Sequence, residues 1–101
     1  MRLLTLARDL KRRKAREREG VFVVEGIRAV EELLRSPLSI NGMLAAPKLI
    51  DSPRGVSLLE SARSRGIEVA EVDEKEFRSA AETESPQGII AIAKTPAHSL
   101  E

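Results

Sequence analysis

The chain has 101 residues, with 17 Lys and Arg, 16 Asp and Glu, one His, two Phe and no Cys, Trp or Tyr. That length supports one modest core but not a large separate active-site domain as well. Without Cys there is no disulfide, thiol nucleophile or Cys-bound zinc, and no run approaches the ~20 apolar residues of a membrane span. A globular, cytoplasmic domain with no membrane partner is expected.

Charge is segregated along the chain. Residues 1–18 carry eight cations against two carboxylates, whereas 19–101 carry nine against fourteen. A basic segment on an acidic body presents a field that suits a polyanion. Within it Leu3, Leu6, Ala7 and Leu10 recur at i, i+3, i+4 and i+7, which predicts one amphipathic helix over 1–19 with its apolar stripe docked on a core. On that wheel Asp9, Arg13 and Glu17 form a self-neutralising row, and Arg8, Arg12 and Arg16 form a repulsive one flanked by Lys11 and Arg18. An external anion would relieve the repulsion; a merely solvated cationic face is the alternative.

The apolar, β-branched run at 21–24 predicts a strand covered on both faces and central in its sheet. Glu25-Gly26 turns into a helix over 27–34, with Arg28–Glu32 and Glu31–Arg35 as expected surface pairs and Ser36-Pro37 as its stop. A second strand over 40–46 leads to a loop over 47–55 with two prolines. Ser57 and Glu60 match a capping box, and Gly66 suits the far end of that helix. Residues 67–72 alternate as a half-buried strand, Asp73 with Glu76 repeats the capping box, and 88–93 form a last apolar strand. The order gives an α/β three-layer sandwich, a mixed four-stranded sheet flanked by helices and preceded by a basic N-terminal helix. One domain over 1–95 is expected, divided into the helix (1–19) and the sandwich (20–95). Residues 96–101 read as a linker or tail whose Leu-Glu end resembles a cloning scar.

Catalytic chemistry finds little footing. His98, the only imidazole, lies in that tail without nearby ligands, so no metal site and no catalytic residue is assigned. There is no Gly-rich phosphate loop, only Gly26 at a strand-to-helix junction. A helix start of that kind can hold a phosphate on its free amides beside Arg28. Equally, Arg28 reads as a surface partner of Glu32, Glu25 and Gly26 as turn chemistry, and Gln87 as a polar residue before the last strand. With two Phe, one of them in a core strand, aromatic base-stacking platforms are nearly excluded. Nucleic acid would be held through phosphate, ribose and shape.

Lys11 to Arg18, then Gly20-Val21-Phe22-Val23-Val24-Glu25-Gly26-Ile27-Arg28, then Pro86-Gln87-Gly88-Ile89-Ile90-Ala91 resemble the N-terminal substrate-binding domain of SpoU (TrmH-type) RNA ribose 2'-O-methyltransferases. The resemblance implies a fold similar to kink-turn-binding ribosomal proteins and a partner that is structured RNA, ribosomal or transfer. It implies a parent enzyme that uses S-adenosylmethionine and dimerises through a second, knotted domain. This chain has no positions onto which that domain's cofactor loops or catalytic arginine could be carried, so no cofactor is expected in it. The expected RNA-binding residues are Arg8, Lys11, Arg12, Arg16 and Arg18 as a phosphate clamp. Arg28 and Gln87, which match motif positions, would be closer contacts. Two other readings stand beside this one: a stand-alone ribosomal or kink-turn RNA-binding protein, and a protein-interaction module that buries Leu3, Leu6 and Leu10 between chains.

Overall fold

Two-residue alternation along each strand sorts the apolar side chains onto two faces of one sheet, and each face acquires its own helical layer. A computed structural model describes residues 2–83 and 86–96. In chain order the elements are α1 (Arg2–Asp9), α2 (Arg13–Glu19), β1 (Val21–Glu25), α3 (Ile27–Arg35), β2 (Ile40–Ala45), a 3₁₀ turn (Pro47–Asp51), α4 (Pro53–Ser64), β3 (Val69–Glu71), α5 (Glu74–Ala80) and β4 (Ile89–Lys94). The sheet order is β1-β4-β2-β3, with β4 antiparallel to both neighbours and β2 parallel to β3. The mixed four-stranded sandwich expected from the sequence is therefore the observed fold.

One face carries Val21, Val23, Leu44, Ile90 and Ile92 and packs on Leu3, Ala7 and Leu10 of the N-terminal segment and on Phe77 of α5. The other carries Phe22, Val24, Met43, Ile89 and Ala91 and packs on Val30 and Leu33 of α3 and Leu58 and Ala62 of α4. Leu3 and Leu10 are each 1% exposed, so the leucine stripe is spent inside this chain, with Leu6 half-buried against the same cluster. That removes the surface on which the protein-interaction reading depended.

The strand at 21–25 is not central. β1 lies at the sheet edge and β4 occupies the middle, with Ile89 to Ala93 at most 1% exposed. An unbroken apolar run reports that both faces are covered, here by α2 and α3, and says nothing about lateral neighbours.

The single helix over 1–19 is two helices. The last α-type bond of the first is Leu10 N–H to the Leu6 carbonyl, after which Lys11 and Arg12 donate three residues back, to Arg8 and Asp9. Arg12 is extended (φ −94°, ψ 134°) and starts α2. Leu10 and Ala15, each 1% exposed, stand five residues apart, about 140° round a straight helix, and the break lets both join the same core cluster. Arg16 Nη1 donates to the Leu10 carbonyl at 2.8 Å, satisfying an acceptor that the break exposes. Gly20, in the left-handed region at φ 68°, ends α2.

Two boundaries also shift. α4 begins at Pro53, ahead of the expected Ser57 box, because Ser52 caps it by accepting from Gly55 N–H at 3.0 Å with Pro at the first turn. Gly55 is required there, since a Cβ would stand 1.9 Å from the Leu49 carbonyl oxygen. β3 contracts to three residues because Ile67 N–H turns back to the Ala62 carbonyl and so closes α4. The Asp73–Glu76 capping box at α5 forms as expected, in both directions.

Candidate nucleic-acid interface

Glu25 follows Val21 and Val23 on one strand face, so its carboxylate leans toward α5 rather than toward the turn. There it accepts from Glu82 N–H at 2.6 Å, from Thr83 Oγ1 at 3.0 Å and from Thr83 N–H at 3.4 Å. It ties the end of β1 to the segment that leads from α5 to β4. Sequence reading left Glu25 as turn chemistry; the usable signal was the two-residue alternation that sets it on the Val21 and Val23 face.

Gly26 stands at φ 101°, ψ 149°, a conformation that only glycine adopts without strain. The first amide of α3, Ile27 N–H, donates to Gln87 Oε1 at 2.8 Å. Gln87 thus caps a helix sixty residues away in sequence, and a Cβ on Gly26 would lie 3.1 Å from that oxygen. The side-chain amide Nε2 of Gln87 makes no other hydrogen bond among the described residues. Arg28 is exposed and has no hydrogen bond or ion pair among them. Its expected pairing with Glu32 does not form, nor does Glu31 with Arg35. Glu32 pairs with Arg35 at 3.4 Å, and the Glu31 carboxylate accepts from Arg54 Nη2 at 2.7 Å and from Arg54 Nε at 3.1 Å. The Arg54 hydrogen bonds hold the Glu31 carboxyl below its ordinary value and raise that of Arg54. Glu25, Gly26, Arg28 and Gln87 line one shallow cavity of about 390 Å³ at the start of α3.

The basic residues of the N-terminal segment do not form the expected row of Arg8, Arg12 and Arg16. Arg8 Nε reaches Ser79 Oγ at 2.7 Å and Lys11 Nζ the Ser79 carbonyl at 3.1 Å, so both cations converge on the last turn of α5, where carbonyls are negative. Arg16 turns inward to Leu10. Arg12 faces Asp9 at 3.9 Å and Arg18 faces Glu19 at 3.4 Å, both as exposed pairs worth little in water. Lys14, exposed on α2, has no partner among the described residues. Lys11 and Arg16 share a second cavity with Glu25, so that carboxylate stands between the two candidate regions. His98 lies outside the described residues. Among those described, no acidic or imidazole cluster could hold a metal ion, and no helix is long and apolar enough to cross a membrane.

The fold is a small α/β sandwich with a basic two-helix arm, and its candidate site gathers Arg28, Gln87 and the cations of that arm around the end of β1. The model of the MRM3-like substrate binding domain family matches residues 5–91, and the chain belongs to that family. It is 33% identical over 93 residues to the 23S rRNA (guanosine(2553)-2'-O)-methyltransferase RlmP of Bacillus subtilis, covering 92% of this chain and 34% of that protein. An RNA 2'-O ribose methyltransferase superposes with a TM-score of 0.79 at 23% identity, covering 97% of this chain and 36% of the other. The SpoU methyltransferase AviRb from Streptomyces viridochromogenes, solved with AdoMet, superposes at 0.76 and 21% identity, covering 96% and 34%. The chain thus spans about a third of the length of these relatives.

Proposed function

We propose that this chain holds structured ribosomal RNA for a longer ribose 2'-O-methyltransferase. The observation that carries the reading is the match to the Bacillus subtilis 23S rRNA methyltransferase over 92% of this chain. S-adenosylmethionine belongs to a catalytic domain beyond the region matched here and would supply the methyl group. Dimerisation of the parent enzyme, through that domain, and cytoplasmic action are parts of the same proposal.

The contacts follow from which groups are uncommitted. Arg28 and Lys14 have no hydrogen bond or ion pair among the described residues, and Arg12 and Arg18 are held there by exposed pairs that a phosphate can replace. Arg8 and Lys11 lie on neutral acceptors and keep their full charge for an external anion. Gln87 spends its oxygen on Ile27 and keeps its Nε2 hydrogens for a ribose or phosphate oxygen beside Arg28. Arg16 acts mainly through the Leu10 carbonyl and positions the arm.

Titration of a structured 23S rRNA fragment, a transfer RNA and duplex DNA at two salt concentrations tests this. Tighter binding to the ribosomal fragment, with affinity falling steeply as salt rises, is expected. Lys14→Glu combined with Arg28→Glu lowers the affinity and flattens the salt slope by about two. Equal affinity for all three nucleic acids, or a double variant that binds as wild type does, overturns the proposal.

A further inference from the structure

Gly88, next to the capping Gln87, is buried at φ 96°, a conformation that favours glycine. A Cβ there would stand 3.1 Å from Lys48 Cγ and 3.2 Å from the Leu49 amide nitrogen, so the bare backbone is what the Lys48 stem lies against. Lys48 itself is exposed, and its ammonium has no hydrogen bond or ion pair among the described residues.

The strand order brings that lysine to the candidate interface. β1 and β2 run the same way on either side of the antiparallel β4, so the ends of β1 and β2 meet the start of β4. Gly26 N–H donates to the Ile89 carbonyl at 3.2 Å and Ala46 N–H to the Gly88 carbonyl at 2.9 Å, which holds the three strand ends side by side. Arg28 follows β1, Gln87 precedes β4 and Lys48 follows β2. With neighbouring strands about 4.8 Å apart, the ends of β1 and β2 are separated by about 10 Å, or about three nucleotides of a stacked strand.

The carboxylates of α3 and of the segments flanking these ends are mostly engaged among the described residues. Glu25 accepts from Glu82 and Thr83, Glu31 pairs with Arg54 and Glu32 with Arg35. Asp51 and Glu82 have carboxylates with no partner there, but neither lines the cavity at the start of α3, and Asp51 lies beyond ion-pair distance of Lys48.

We infer that Lys48 is a further RNA-backbone contact, and that Arg28, Gln87 and Lys48 form one track across the sheet end from β1 to β2. A phosphate sits at each cation, with a ribose or phosphate oxygen on Gln87 Nε2 between them. The inference rests on the RNA-holding reading above and gives the bound strand a path over the fold. Gly88 is a positioning residue in it, acting through the Lys48 stem.

Fluorescence anisotropy with the 23S rRNA fragment over a range of salt tests the track. Lys48→Ala is expected to lower the affinity roughly five- to tenfold at about 0.1 M salt and to reduce the salt slope by about one. Its thermal midpoint should match wild type, because the ammonium holds nothing internal among the described residues. Arg65→Gln is the comparison: Arg65 follows α4 at the opposite end of the sheet and donates to the Leu34 carbonyl, so Gln removes one charge there and keeps a donor. That variant should bind within about twofold of wild type, since a charge far from the track is screened. Lys48→Ala binding as wild type does, or Arg65→Gln losing as much as Lys48→Ala, overturns the track and leaves the RNA-holding proposal standing. Failure of the wild-type chain to bind any RNA overturns both.

Discussion

Replacing Gln87 with Ala and with Glu separates a helix cap from an RNA contact, because the two substitutions act oppositely on them. Gln87→Ala removes the oxygen that receives Ile27 N–H at 2.8 Å and leaves the first amide of α3 to water. The bond is exposed, so its loss falls at the low end for a helix cap, about 0.5–1 kcal/mol. For a domain of this size that lowers the thermal midpoint by roughly 2–8 °C. Gln87→Glu keeps an acceptor at the same place and adds negative charge at a helix start, where it is favourable by a few tenths of a kcal/mol, roughly 0.3–1. The Glu variant should therefore melt above wild type, by roughly 1–8 °C, yet bind the rRNA fragment less well, since the carboxylate repels phosphate and has lost the Nε2 donor. Circular-dichroism melts and fluorescence anisotropy on the same three proteins give both readouts. If the Ala variant melts with wild type, Gln87 is not a stabilising cap. If the Glu variant binds RNA as wild type does, Gln87 faces no phosphate.

Leu10→Ala should cost about 2–5 kcal/mol in urea unfolding, because it opens a void where α1, the arm break and the sheet meet. Gly55→Ala gains about 1 kcal/mol of helix propensity but sets a Cβ 1.9 Å from the Leu49 carbonyl oxygen, so the displaced backbone should dominate and the midpoint should fall; a rise would show that the 3₁₀ turn yields freely. The Glu31 pKa is depressed by Arg54, so this carboxylate stabilises the fold above the ordinary Glu value of about 4.3, and that contribution disappears as pH falls through its lower folded value. Unfolding of Glu31→Gln measured against pH should accordingly lose part of the acid-side slope seen in wild type, and parallel curves would refute the linkage.

The local signals in the sequence were read well where their cause is local. The Asp73–Glu76 box and Gly66 at the far end of α4, in the left-handed region at φ 77°, involve neighbours within a turn or two, and each lies where its chemistry placed it; of the strand expected over 67–72 only Val69–Glu71 forms. The arm break was illegible because residues 10–13 all favour helix, and what bends the chain is the burial of Leu10 and Ala15 on a surface built by distant strands. The edge position of β1 was hidden for a related reason, since apolar content records the helices above and below a strand and not its lateral partner. At the candidate site, Arg28 and Gln87 were found through family resemblance, but the cap from Gln87 to Ile27 links residues sixty positions apart and leaves no mark on local pattern. The row of Arg8, Arg12 and Arg16 failed together with the continuous helix on which it was drawn.

Because β4 lies between β1 and β2, the last described strand is the one that joins the sheet. On a ribosome, β1 emerges early and waits through the synthesis of three α-helices and two strands for β4, its one sheet neighbour among the described residues. A nascent chain halted before Ile89 would hold β2 and β3 as a parallel pair and leave the backbone amides of Val21 to Glu25 without a ladder. Such a chain is a client for chaperones rather than a partly folded domain.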